Sequence, residues 1–272
     1  MRRSAPRRSA PLASPGRRGG RAPGSAEVAK RPAVSGERAK CGVQGRCSLT
    51  KRPVLGVCPS LPGYGFSDKP AAPGWGIERI SDAWCELMAR LGYRRFGAQG
   101  SDWGTSIATS IGQRQPDRVA GIHLMPPLAP PDPATSDDLT GAERAALATL
   151  READEWGSGY SAQQSTRPQT VGCGLVDSPA ALCAGASSAR LYWESLRQVN
   201  EWISGSAGAP VTVSTGCSVF PKELQRPSRR WAERRFPNIR YWNEPGKSGH
   251  FAAFEQPALF VDEVRSFFRL VR

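Results

Sequence analysis

Arg95-Phe-Gly-Ala-Gln-Gly-Ser-Asp-Trp-Gly-Thr-Ser-Ile-Ala-Thr-Ser-Ile111 is the stretch that decides the fold. Arg95–Gln99 reads as a strand, the polar turn Gly100–Gly104 follows it, and Ile107–Ile111 reads as helix. A turn of the form small–x–nucleophile–x–small between strand and helix is a strained elbow. Small residues at its ends let the backbone bend, so that the middle side chain projects over the sheet edge near a helix N-terminus. Here the middle side chain is Asp102. Ser101 cannot take that place, because a Gly-x-Ser-x-Gly frame needs glycine where Gln99 and Trp103 stand. Two glycines around an aspartate also suit an ordinary turn. The position directly after a strand is what gives the stretch a functional reading.

Working outward, Val54–Pro59 reads as a short strand that ends in the loop Ser60-Leu-Pro-Gly-Tyr-Gly-Phe66. Ile77, Ile80, Trp84, Leu87, Met88 and Leu91 share one face at helical spacing, and Gly92 closes that helix. Downstream, Arg118–Met125 is an apolar strand followed by a loop rich in Pro and Asp. Thr140–Trp156 is helical, with Thr140 and Glu143 spaced as a capping box. Gly157–Ala189 is mostly small and polar, and Ser187–Trp202 returns to helix. Val211–Val219 is a β-branched strand, Ser228–Phe236 a basic helix, Ile239–Trp242 a strand and Leu259–Val271 the last helix. Strands alternating with helices predict an α/β fold with a mostly parallel sheet. The helix-and-loop stretch at about 126–205 looks like an insertion over the C-terminal sheet edge, where ligands bind in such folds, and is a candidate lid.

Charge divides the chain. The 272 residues carry a formal net charge of +13, which taken whole suggests a nucleic-acid or anionic partner. Residues 1–52 hold 14 Lys/Arg and only Glu27 and Glu37 as acids, a net of +12, so the rest of the chain is almost neutral. That segment is Arg, Pro, Gly, Ser and Ala with almost no large apolar side chain, and is expected to be a disordered basic tail. No aromatic residue interleaves its arginines to stack on bases, so nucleic acid is not the expected partner. An organelle transit peptide also fits an Arg- and Ser-rich, acid-poor segment. Seven cysteines form no C-x-x-C pair, which argues against a disulfide scaffold and a zinc site and for a reducing, cytoplasmic setting. No run of about 18 apolar residues predicts a membrane span. The oligomeric state is open at this stage, and no metal or other cofactor is expected.

Only two histidines occur, His123 and His250. His250 stands in Ser248-Gly-His-Phe-Ala252, directly after the last expected strand. Glu223, in Phe220-Pro-Lys-Glu-Leu224, follows the strand before it. On spacing alone Glu223 reads as a surface carboxylate and His250 as a structural residue.

A resemblance adds to this reading. Pro59-Ser-Leu-Pro-Gly-Tyr-Gly-Phe-Ser67, Gln99-Gly-Ser-Asp-Trp-Gly104, Ser158-Gly-Tyr160, Ser188-Ala-Arg-Leu-Tyr192, Phe220-Pro-Lys-Glu223 and Gly249-His-Phe-Ala-Ala-Phe-Glu255 occur in that order. Together they resemble blocks of the microsomal-type (juvenile-hormone-type) epoxide hydrolases, over about Val54 to Arg272. The resemblance implies an α/β-hydrolase domain over 53–272, with nucleophile, acid and histidine in that chain order. It implies Asp102 as the nucleophile that opens an epoxide to an alkyl-enzyme ester, and His250 as the base that activates water, oriented by Glu223. It further implies Tyr160 and Tyr192 as donors to the epoxide oxygen, the Trp103 N–H as part of the oxyanion hole, and a small-molecule epoxide and water as the substrates. Detoxification or aromatic-hydrocarbon catabolism are the corresponding roles.

The chain departs from the family in two places. The family's upstream His-Gly-x-Pro segment, which helps complete the oxyanion hole, has no counterpart, since no histidine precedes His123. A long lid segment of the family is reduced to Ala180-Ala-Leu-Cys-Ala-Gly-Ala186. The expectation is an enzyme shortened at the N-terminus and in the lid, with an incomplete sheet and weakened activity. The alternatives are a haloalkane dehalogenase, against which the tyrosine pair argues, an inactive α/β-hydrolase remnant, or a binding protein acting through its basic tail.

Overall fold

The computed structural model describes residues 56–177, 189–203 and 209–271. The expected basic tail, 1–52, and the connector 180–186 lie outside the described residues. Strands β1 (Phe96–Ser101), β2 (Val119–Met125), β3 (Thr215–Ser218) and β4 (Ile239–Asn243) form one sheet in the order β1-β2-β3-β4, with every pairing parallel. Parallel neighbours require crossover connections, and helices supply them. Helix α1 (Ile77–Arg90) precedes β1, and α2 (Trp103–Arg114) joins β1 to β2. Helices α3 (Gly141–Glu152), α4 (Gly159–Thr166), α5 (Pro168–Asp177) and α6 (Ala189–Ile203) fall between β2 and β3. Helix α7 (Arg229–Arg235) joins β3 to β4, and the short α8 (Ala252–Glu255) and α9 (Pro257–Leu270) follow. The α/β-hydrolase fold class expected from the sequence is the one observed.

Strand β2 shows how the layers are held. Ile122 and Leu124 are fully buried in a cluster with Ile77 and Ile80 of α1 and Ile107 and Ile111 of α2. Their neighbours point the other way, as the two-residue period of a strand requires. His123 stacks on Phe267 of α9 at 5.6 Å between ring centroids, and Met125 joins Phe220 and Ala252 in a second cluster. With helices on both faces the strand reads as apolar throughout instead of alternating. Helix α9 also needs Gly216 of β3, where a Cβ would lie 2.4 Å from the Phe267 ring.

Several local expectations hold. Gly92 adopts φ 86° just beyond α1, and its N–H bonds Ala89 O at 2.9 Å, a left-handed stop that glycine makes without strain. Thr140 and Glu143 form the capping box of α3. Other expectations do not. Of the strand expected over Val54–Pro59, Val54 and Leu55 lie outside the described residues, and residues 56–59 form no strand, Pro59 having no N–H for a ladder. The strand expected over Val211–Val219 is confined to Thr215–Ser218. The helix expected to Trp156 is α-helical only to Glu152 and continues as a π-helical turn, Ala153–Gly157. The small, polar stretch after Gly157 contains α4 and α5. Its weak propensity is overridden by packing of α4 against α6.

Candidate active site

The turn after β1 is an elbow in the structural sense. Asp102 sits at φ 50° and ψ −128°, a conformation that non-glycine residues rarely adopt and that costs about 1–3 kcal/mol. The turn is tight because the backbone folds back on itself: Thr105 N–H donates to Asp102 O at 2.9 Å and Thr105 Oγ1 to Gly100 O at 3.1 Å. A Cβ on Gly100 would stand 1.9 Å from Gly104 O, so glycine is obligatory there. A Cβ on Gly104 would meet nothing within 4 Å. The steric demand of the pattern therefore lies on its first glycine alone.

Two further loops converge on Asp102. The turn after β3 closes with Glu223 N–H on Phe220 O at 3.2 Å and buries the Glu223 side chain. The loop after β4 is tied to it by a bridge between Lys222 and Gly249, with Lys222 N–H donating to Ser248 O at 3.3 Å. His250 thereby lies between two carboxylates, its Nδ1 2.9 Å from Glu223 Oε2 and its Nε2 3.1 Å from Asp102 Oδ2. A carboxylate oxygen only accepts, so each ring nitrogen donates and the resting imidazole carries both protons. The Asp102 hydrogen bond foremost, then that of Glu223, pushes the His250 pKa up to about 10, against the opposing effect of burial. Such a cation is not a base. It becomes one only when Asp102 loses its charge.

The helices between β2 and β3 place the aromatic groups. Tyr192 on α6 meets the Trp103 ring edge-on at 5.0 Å between centroids and the Tyr160 ring of α4 at 5.7 Å. Helix α6 is fastened to the body by Gly74 N–H on Glu194 Oε1 and by Gln198 Nε2 on Glu78 Oε1, both at 3.1 Å. Burial drives the Tyr192 phenol well above its ordinary pKa, partly offset by the Trp103 indole. It stays protonated at neutral pH and is available as a hydrogen-bond donor. Trp103 occupies the first position of α2, where the helix offers no carbonyl to its N–H. Asp102, Trp103, Tyr160, Tyr192, Glu223 and His250 all line one cavity of about 250 Å³, with Leu128, Leu150, Leu196 and Val199 as its apolar wall. All six residues singled out in the sequence are brought together.

The other histidine is elsewhere. His123 is fully buried between β2 and α9, and burial pushes its pKa down to about 3. Its Nε2 lies 3.2 Å from Ser218 Oγ, which itself donates to Glu263 Oε2 at 2.6 Å. A hydroxyl has one proton, so His123 must be the donor in that pair. Glu263, buried on α9, also accepts from Tyr241 at 3.1 Å and Asn243 at 2.7 Å. Sequence reasoning missed this brace, and no local pattern marks it. It also gave no role to Glu255, although that residue ends one of the quoted blocks.

The fold is that of the α/β-hydrolases, and comparison with known proteins agrees. A family model described as the alpha/beta hydrolase fold matches residues 55–154. The solved Aspergillus niger epoxide hydrolase superposes with a TM-score of 0.64 at 27% identity, over 79% of this chain and 63% of that one. The silkworm (Bombyx mori) juvenile hormone epoxide hydrolase shares the fold with a TM-score of 0.62 at 24% identity, over 79% and 64%. A Stigmatella aurantiaca protein provisionally named an epoxide hydrolase is 43% identical over 253 residues, 79% of this chain and 56% of that protein. Pig (Sus scrofa) epoxide hydrolase 1 is 29% identical over 272 residues, 79% and 60% of the two chains. The chain is thus similar to epoxide hydrolases, epoxide hydrolase 1 and juvenile hormone epoxide hydrolase among them. It spans a little over half the length of the first two curated relatives. Among the described residues no helix is long and apolar enough to cross a membrane.

Proposed function

We infer that this chain hydrolyses epoxides to vicinal diols through a covalent ester on Asp102. The observation that carries the reading is His250 held between Asp102 and Glu223 on the wall of a cavity shared with two tyrosines. The Asp102 carboxylate attacks an epoxide carbon and the C–O bond of the ring breaks. Tyr160 and Tyr192 donate to the departing oxygen, which gains a proton as the ring opens. Esterification removes the charge on Asp102, the main reason for the high pKa of His250. His250 can then give up its Nε2 proton, which replaces the one the phenols passed to the alkoxide, and take one from water as that water attacks the ester carbonyl. Glu223 keeps the imidazole oriented through Nδ1 and stabilises the cation that forms. The Trp103 N–H faces charge developing on the carbonyl oxygen. The tetrahedral intermediate then collapses, the bond to the diol oxygen breaks, and the proton of the added hydroxyl passes to that oxygen, leaving diol and the free Asp102 carboxylate.

In this reading residues 53–272 act as one catalytic domain, and the helical stretch within 126–205 is its lid. Single turnover in ¹⁸O-water tests the chemistry. Because water attacks the ester carbonyl, the first diol formed with enzyme in excess over styrene oxide carries no label, and the label appears in Asp102. A labelled first diol means direct attack of water on the epoxide and overturns the covalent step. Asp102→Asn is expected to abolish turnover.

A further inference from the structure

The loop that carries His250 has a clamp of its own. Glu255, at the end of α8, turns its carboxylate back across Ser248–Phe251. Its Oε2 accepts from Ser248 Oγ at 3.1 Å and from the Gly249 N–H at 3.0 Å, and its Oε1 accepts from the Phe251 N–H at 3.3 Å. The backbone N–H groups on either side of His250 therefore end on one side chain. Ser248 is held at φ 87°, in the left-handed region, a conformation that persists only where its surroundings enforce it. Gly249 is also the residue bridged to Lys222, and a Cβ there would lie 2.9 Å from Lys222 Cβ. Lys222 adjoins Glu223. One carboxylate thus holds the histidine loop and, through the bridge, the loop of the acid that orients the histidine. Glu255 itself does not line the cavity.

We propose that Glu255 is a positioning residue that fixes His250 between Asp102 and Glu223 and so serves hydrolysis of the ester more than its formation. The asymmetry follows because Asp102 is set by its own elbow, which Glu255 does not touch. The proposal rests on the covalent reading given above, and its first test does not need activity. In the full chain labelled with ¹⁵N-histidine, His250 is titrated in Glu255→Gln, which removes the charge, and in Glu255→Asp, which keeps the charge but shortens the reach by one methylene.

Both variants are expected to weaken proton binding at His250 at least tenfold, with His123 unchanged as a sign that the core is intact. Glu255→Asp is also expected to accumulate a styrene oxide adduct, read by intact mass, that the native chain clears. Native titration of His250 in Glu255→Asp overturns the proposal, because the effect is then one of field and not of position. Equal slowing of adduct formation and adduct loss also overturns it. If the native chain makes neither adduct nor diol, the covalent reading fails, and the titration alone decides the role of Glu255.

Discussion

Replacing Asp102 by Asn probes the centre of the site without altering its shape. Asparagine keeps an oxygen that can accept from His250 Nε2, 3.1 Å from Asp102 Oδ2 in the native chain, but removes the charge. The Asp102 hydrogen bond is the largest cause of the His250 pKa of about 10. A histidine with that pKa is about 99% protonated at pH 8, whereas one near 6.5 is only about 3% protonated. Asp102→Asn is expected to bring His250 part of the way down, with Glu223 holding it above the ordinary value. ¹⁵N-histidine NMR can read this directly, because the chain has only two histidines. His123, with a pKa of about 3, stays neutral across the accessible range and serves as the internal reference. The same shifts enter stability with opposite signs. The folded pKa of His250 is raised, so its contribution is fully present below about pH 6.5 and is lost as pH rises through about 10. That of His123 is lowered, so stability falls as pH drops from about 6.5 toward about 3. Asp102→Asn should flatten the alkaline slope of a urea-denaturation series and leave the acid slope intact. A native His250 that titrates near 6.5, or does not respond to Asp102→Asn, refutes the charge clamp.

Three further substitutions test separate parts of the structure. Gly100→Ala puts a Cβ 1.9 Å from Gly104 O. It should destabilise by roughly 3 kcal/mol in denaturant titration and displace Asp102, whereas Gly104→Ala should fold normally. Tyr192→Phe is expected to lower kcat on styrene oxide by about 10²-fold or more, and a loss below threefold would remove the phenol from the reaction. Glu263→Ala strips the shared acceptor from Ser218, Tyr241 and Asn243 and should cost about 2–3 kcal/mol by urea denaturation; a change under about 0.5 kcal/mol would show that the brace is idle.

What was legible in the sequence was what local geometry dictates. The glycine that opens the elbow, the stop at Gly92 and the capping box at Thr140 are each written within a few residues, and each is found in place. What was illegible depends on partners far along the chain. Helices α4 and α5 exist because α6 lies beside them, and Glu263 is braced by residues 20–45 positions away. The two histidines make the point most directly. Nothing adjacent to either says which is a cation and which is a buried neutral group; the carboxylates brought to His250 and the burial of His123 decide it.

The order Asp102, Glu223, His250 was readable, but their meeting followed from the resemblance and not from the residues, because it depends on the order of the strands. In a parallel sheet the loops at the C-terminal ends share one edge, and Asp102, Glu223 and His250 follow β1, β3 and β4. Glu223 is two strands from β1 and His250 three, so the histidine must travel about 14 Å across the edge to reach Asp102. Extended chain advances about 3.3 Å per residue, so the seven steps from Asn243 to His250 are ample but leave the loop undirected. The bridge of Gly249 to Lys222, above β3, supplies the direction by turning the loop back over the sheet toward β1. A loop with that much slack must be fastened at more than one point for its imidazole to meet two carboxylates at hydrogen-bond distance. The structure provides the fastening in the Lys222 bridge on one side and the Glu255 carboxylate on the other.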